Sequence, residues 1–384
     1  MFSRLIDDFV GSFNPLARAK ADRLATGGVI HDAASGGVHD AGFFFPDDIL
    51  RDALDVGLKA SRSYTPISKG QRVAREAVVA YYGGGDPERI VMTPGTSQSY
   101  WYLFSLLADP GDEILVPRPC YPLFDYIAKL CHATLIYYDL RVEDGKWTID
   151  LESVAAAITS KTKAIVLISP HNPTGHVASE DEVRGLAKIA REKGLPLIID
   201  EVFYEFVFEG SGDRGGSDMT RELPQRRGFA DCPLVFTVNG FSKMFALPGM
   251  KIGWIRVEGR SDLVERGLAA LETIADTFLA TSEQAQFAVP MIFQRGREFL
   301  AEYKKILRQR WEVSRDLYSV IPQGGFYGVR YIGDRDEDVF TIELLRQHGI
   351  LLHPGYFFMI DRPAIVFSFL RSSELLRTAL CGTT

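Results

Sequence analysis

Through its middle the chain alternates short apolar runs with helical patterns, and this alternation limits its possible folds more than any other feature. The runs are Ile90–Met92, Glu113–Val116, Thr134–Tyr138, Ala164–Ser169, Leu197–Ile199 and Leu234–Val238. Helical patterns lie between them at Thr96–Leu107, Pro122–Leu130, Leu151–Ile158 and Glu180–Lys193. Strands spaced by helices of this length imply βαβ units and a mostly parallel sheet sandwiched by helices, an α/β fold. Runs such as AIVLIS at Ala164–Ser169 carry no alternation, as expected where helices cover both faces.

The 384 residues suffice for more than one domain. Residues 1–45 are irregular and glycine-rich, and read as an N-terminal arm that also forms part of a small domain. Residues 46–255 hold the alternating pattern and read as the large domain. Residues 256–384 begin with helical stretches at Asp262–Phe278 and Glu298–Tyr318, then strand-like runs at Gly325–Val329 and Ile365–Phe369, as in a smaller α+β domain. Gly212–Gly228 reads as a surface loop.

Fifty acidic against 43 basic residues give a net charge of −7, which argues against a protein that coats nucleic acid. Cys120, Cys131, Cys232 and Cys381 form no CxxC pair, so neither a disulfide framework nor a metal site is expected. Asp7 and Asp8 interrupt the N-terminal segment, unlike a signal peptide. No apolar run approaches the ~20 residues that span a bilayer. The expectation is a cytoplasmic protein without nucleic-acid or membrane partners.

In an open parallel sheet, ligands bind beyond the carboxyl ends of the strands. Polar residues follow the strands there four times. Thr96 and Ser97 open a helix after Ile90–Met92, where free N–H groups and the helix dipole make an anion cradle. Such residues are also ordinary caps. After Ser169, the turn Pro170-His171-Asn172-Pro173-Thr174-Gly175 holds the Asn172 amide at the sheet edge, or is simply a turn. Leu197–Ile199 ends in Asp200-Glu201, acids that are costly at a buried strand end unless paired. Leu234–Val238 leads to Ser242 and Lys243 among apolar neighbours, where desolvation would lower an amine's pKa. Together they supply an anion cradle, an oriented amide, an acid and an amine. Pyridoxal phosphate requires that set: a phosphate site, a Schiff-base lysine and an acid at its pyridine nitrogen.

On these residues the sequence resembles the class I/II aminotransferases, pyridoxal-phosphate enzymes of fold type I, from about residue 30 to 380. NPTG at Asn172–Gly175, Asp200-Glu201, and Ser242-Lys243 with the tail to Gly253 carry the resemblance as a set. It implies that Lys243 attaches the cofactor and shuttles a proton, and that Asp200 pairs with the pyridinium nitrogen. It further implies that Asn172 binds the cofactor O3′ and that Thr96, Ser97 and Ser242 bind its phosphate. Tyr121 would stack on one ring face and Val202 would pack under the other. Tyr64 would reach the phosphate of a neighbouring subunit, so a homodimer with a shared active site is implied. The substrate would be a small amino compound.

Three positions depart from the family pattern. A tyrosine usual three residues after the aspartate is Phe203, with Tyr204 next. The basic phosphate ligand is Lys251 where arginine is usual, which loses the bidentate fork. Aligning Ile365–Phe369 to the C-terminal arginine pattern puts Val366 where the carboxylate clamp is expected, with Arg371 five residues on. Ser35-Gly36-Gly37 is unusual in the N-terminal loop, and PGYFF at Pro354–Phe358 resembles an atypical subgroup without that arginine. Transamination is expected. A C–S β-eliminating lyase or a decarboxylating enzyme of a specialised biosynthetic pathway is the alternative from the same cofactor, and a ligand-sensing domain is a third. If carboxylate binding is what the site lacks, arginine at Val366 should improve turnover of simple amino acids.

Overall fold

A computed structural model describes residues 5, 14–208, 228–229, 231–279, 281–371 and 373–381. All of the Gly212–Gly228 loop except Gly228 lies outside the described residues. The strands in chain order are β1 (His31–Asp32), β2 (Ile90–Thr93), β3 (Glu113–Arg118), β4 (Thr134–Glu143), β5 (Lys146–Ile149), β6 (Thr162–Ile168) and β7 (Leu197–Asp200). They continue as β8 (Leu234–Gly240), β9 (Gly253–Gly259), β10 (Tyr327–Tyr331), β11 (Ile350–Leu351), β12 (His353–Pro354) and β13 (Ala364–Ser368).

Eight strands form the large sheet in the order β2-β9-β8-β7-β6-β3-β4-β5. β8, β7, β6, β3 and β4 run parallel, while β9 is antiparallel to both β8 and β2. The mostly parallel sheet is as the alternation implies. β9 and β5 escaped the sequence reading. β5 returns from β4 through Asp144 and Gly145, both at positive φ (48° and 74°), the backbone a two-residue hairpin needs. β9 extends the large sheet to Gly259, beyond Ile255, and helix Ser261–Thr277 packs on it.

The central strands are built from Ile, Val and Leu and are buried along their length. Each such side chain contributes about 1.5–3 kcal/mol on full burial. Local signals set the helix ends. In helix Glu180–Lys193, Ser179 and Glu182 form a capping box, and Gly194 ends the helix in the left-handed conformation.

A second, antiparallel sheet has the order β10-β13-β12. The N-terminal segment joins this end of the molecule, because β1 pairs with β11 and Ser368 N–H donates to the Ala33 carbonyl at 2.8 Å. The residues just after β1 are thereby fixed beside the ends of β10 and β13.

Candidate active site

The acid comes from the end of β7. Its strand places Asp200 and Glu201 on opposite sides. Glu201 accepts from Tyr82 Oη at 3.3 Å, and Trp254 Nε1 donates to that same Tyr82 oxygen. Asp200 is buried, and its Oδ2 accepts from Tyr100 Oη at 2.7 Å while Oδ1 accepts from the Val202 N–H at 2.8 Å. Burial pushes the Asp200 carboxyl up to about 6, against the opposing effect of the Tyr100 and Val202 hydrogen bonds. A carboxylate in such a place gains from a cationic partner. Tyr121 lies close enough for Asp200 to add to the rise that burial imposes on its phenol.

The amine comes from the short helix Phe241–Met244 that follows β8. Lys243 Nζ donates to the Gly36 carbonyl at 3.0 Å and sits 5.8 Å from the centre of the Phe326 ring. Burial brings the Lys243 amine down to about 8, so a useful fraction is neutral near physiological pH. A Cβ placed on Gly36 would lie 3.3 Å from Lys243 Nζ and 2.3 Å from Tyr327 Oη. The amine and the tyrosine hydroxyl therefore converge on one glycine. Tyr121 in turn contributes to the upward shift of the Tyr327 phenol, whose main cause is burial. Tyr121 is thus an electrostatic neighbour of both Asp200 and Tyr327.

The candidate anion cradle is the start of helix Thr96–Leu107. Gly95 precedes it at φ 141°, and no side chain caps the first turn. Thr96 is partly buried and Ser97 exposed. A Cβ on Gly253 would sit 2.8 Å from the Gly95 Cα, so the tail of the lysine motif packs directly on the cradle. Ser242 is partly buried, and Lys251 is exposed in a left-handed conformation (φ 53°).

The Asn172 turn is held from below. His171 and Thr174 are buried and hydrogen-bonded to each other at 2.9 Å, and burial pushes His171 down to about 3, so it stays neutral. Gly175 accepts from the N–H groups of Gln323 and Gly324 at 2.9 Å each, which joins this turn to the segment carrying Phe326 and Tyr327. Asn172 Oδ1 is buried without a hydrogen-bond partner among the described residues. An orphaned amide, an acid awaiting a cation, an uncapped helix start and a desolvated amine fit pyridoxal phosphate. Lys243 would hold its aldehyde, Asp200 its ring nitrogen, Asn172 its phenolic oxygen and Thr96, Ser97, Ser242 and Lys251 its phosphate.

Phe203 packs edge-on against Phe326 at 4.8 Å, so the position where the family usually has a tyrosine presents an apolar ring. Val366 is fully buried in an apolar cluster with Val329, Ala364 and Phe358, opposite Val329 in the β10–β13 register. Arg371 lies 4.0 Å from Asp40. Tyr64 is 74% exposed and stands apart from this cluster, beside Leu279 and Ser282. Sequence reading missed Tyr100 and Tyr327. Tyr100 lies one helical turn after Thr96, a spacing that puts both on one face.

A family model described as "Aminotransferase class I and II" matches residues 37–384. The chain is 29% identical over 334 residues to a glutamate-pyruvate aminotransferase, AlaA, of Haemophilus influenzae, covering 82% of this chain and 79% of that one. It is 33% identical over 332 residues to the S-alkyl-thiohydroximate lyase SUR1 of Arabidopsis thaliana, covering 80% and 69%. An alanine aminotransferase structure from Pyrococcus furiosus superposes with a TM-score of 0.86 at 24% identity, over 99% of this chain and 98% of that one, a likeness of fold. Together with the crevice above, these findings make the chain a member of the class I and II aminotransferase family, of fold type I and dependent on pyridoxal phosphate.

Proposed function

We propose that this enzyme transaminates an amino-acid substrate with Lys243 as both the covalent anchor of the cofactor and the proton carrier at the substrate Cα. The observation that carries the reading is the desolvated Lys243 amine held by Gly36, just beyond the strand that neighbours the one ending in the buried, tyrosine-bound Asp200. Bound pyridoxal phosphate supplies the electron sink that makes the substrate Cα proton acidic. Asp200 keeps the ring nitrogen protonated. Asn172 orients the ring, while Tyr121 and Val202 confine it from either side. Thr96, Ser97, Ser242 and Lys251 hold the phosphate.

Relatives named for aminotransferases of glutamate and pyruvate, aspartate and tyrosine support an amino-acid donor. The exposure of Tyr64 supports its use by a second subunit, and hence a homodimer with shared sites. No described helix is long and apolar enough to cross a membrane, and we read the enzyme as cytoplasmic. We read residues 46–255, with the rest of β9 to Gly259, as the large cofactor domain, residues 1–45 as the arm and the remaining C-terminal residues as the small domain.

The lyase relative at 33% identity favours C–S β-elimination as a second reading. One experiment separates the two. Amino acids and S-substituted cysteines are screened while the cofactor spectrum and products are followed. A keto acid with conversion of the cofactor to its amine form is the expected result. Pyruvate, ammonia and a released thiol would instead identify a lyase. Lys243→Ala should lose the visible absorbance, and its retention would overturn the role given to Lys243.

A further inference from the structure

We propose that Tyr327 binds the carboxylate of the amino substrate, its hydroxyl donating where the family alignment leaves no cationic side chain. The proposal rests on the aminotransferase reading of the Lys243 site. Its geometric basis is the meeting of three groups at Gly36. The glycine carbonyl takes the Lys243 amine at 3.0 Å. A Cβ on that glycine would stand 2.3 Å from Tyr327 Oη and 3.3 Å from Lys243 Nζ. The hydroxyl and the amine thus lie no farther apart than those two distances added, which is the reach of one amino acid's backbone. Only a residue without a side chain leaves room for both.

The hydroxyl has no hydrogen bond among the described residues, although its ring packs against a buried apolar cluster. Burial, with Tyr121 and Asp32 nearby, raises its pKa, so it remains a donor at any working pH. The Asp32 carboxylate is occupied elsewhere. Its Oδ1 accepts from Ala34 and Ser35 N–H at 3.1 and 2.9 Å, and its Oδ2 lies 3.9 Å from Lys20. Tyr327 is only partly buried and its hydroxyl is not among the sealed, unpartnered polar atoms, so it stays reachable and a ligand carboxylate can supply its acceptor.

The register explains why this residue takes the role. Tyr327 faces Ser368 across β10 and β13, and Ser368 is the residue whose N–H holds the N-terminal segment at Ala33. Val366 lies opposite Val329, two residues along the same face and inside the apolar cluster. Phe326, 5.8 Å from Lys243 Nζ and packed on Phe203, gives the amine side of the site an aromatic surface that suits an amino acid with an apolar side chain.

The test titrates the cofactor-loaded enzyme with L-phenylalanine and with phenethylamine, which lacks only the carboxylate, and reads the cofactor absorbance. Tyr327→Phe should keep the unliganded absorbance, weaken L-phenylalanine binding by about tenfold or more, and leave phenethylamine within about twofold. Equal weakening of both ligands would assign Tyr327 a merely structural role and overturn the proposal. So would unchanged L-phenylalanine binding, a wild-type enzyme with no preference for the carboxylate, or a selective loss in Arg371→Ala with none in Tyr327→Phe. A wild-type protein with no visible absorbance after cofactor loading would overturn the Lys243 reading itself, and this proposal with it.

Discussion

The phenol of Tyr100 donates a 2.7 Å hydrogen bond to Oδ2 of Asp200, and the tyrosine is buried too deeply to ionise. The acid we propose for the cofactor's ring nitrogen is therefore held by a neutral donor from the helix whose start is the proposed phosphate cradle. On that reading one helix would fix both ends of the cofactor site.

Replacing Tyr100 by phenylalanine removes a hydrogen bond to a charged acceptor, worth about 1.5–3 kcal/mol. The Asp200 carboxyl would then ionise less readily, since this bond lowers its pKa. Cofactor affinity should fall about tenfold or more, measured by equilibrium dialysis. An unchanged affinity would show that the bond contributes nothing to the loaded site.

Asp200→Asn should separate stability from function. Burial raises the Asp200 pKa to about 6 from 3.8, so its contribution to stability is complete below about pH 4 and lost as pH rises through 6. Above that, the ionised acid costs the cofactor-free protein about 1–3 kcal/mol. Cofactor-free Asp200→Asn should therefore melt higher than wild type at pH 7.5, with the gap closing toward pH 4, while its turnover collapses. A lower melting point at pH 7.5 would contradict the desolvation argument.

The Lys243 amine, lowered from 10.5 to about 8 by burial, becomes neutral as pH rises through 8. Capture of pyridoxal phosphate by the cofactor-free protein requires the neutral amine. Its rate should rise about tenfold between pH 7 and 9 and then level off. A rate still climbing steadily above about pH 9.5 would indicate an unshifted lysine.

Arginine at Val366 should not restore turnover of simple amino acids. Val366 is fully buried in an apolar cluster, where a new charge has no built partner. Removing it from water should destabilise the fold by about 3 kcal/mol or more. Thermal unfolding of Val366→Arg tests this, and a gain in turnover at unchanged stability would reinstate the alignment.

If Tyr64 serves the neighbouring subunit, Lys243→Ala and Tyr64→Phe protomers refolded together should regain activity that neither homodimer has. Each mixed dimer then contains one intact site. No recovery in verified mixed dimers would place Tyr64 outside the site.

Much of this molecule was legible in its chain because local rules governed it. Ile/Val/Leu runs spaced by capped helices specify parallel strands, and the polar residues that follow such strands fall at one sheet edge. Asp200, Asn172, Thr96 and Lys243 become candidates by that rule. The Asp144-Gly145 hairpin carried a local signal as well, although a reading intent on helical crossovers passed over it. Tertiary structure alone decided which side chains meet across large separations in the chain. Gly36, Lys243 and Tyr327 come from three distant segments, and their convergence depends on the pairing of β10 with β13 and on Ser368 holding the N-terminal segment at Ala33. The same is true of Tyr100 and Asp200, and of the burial that shifts Asp200 up and Lys243 down. Desolvation is a property of everything packed around a group, so no stretch of sequence states it.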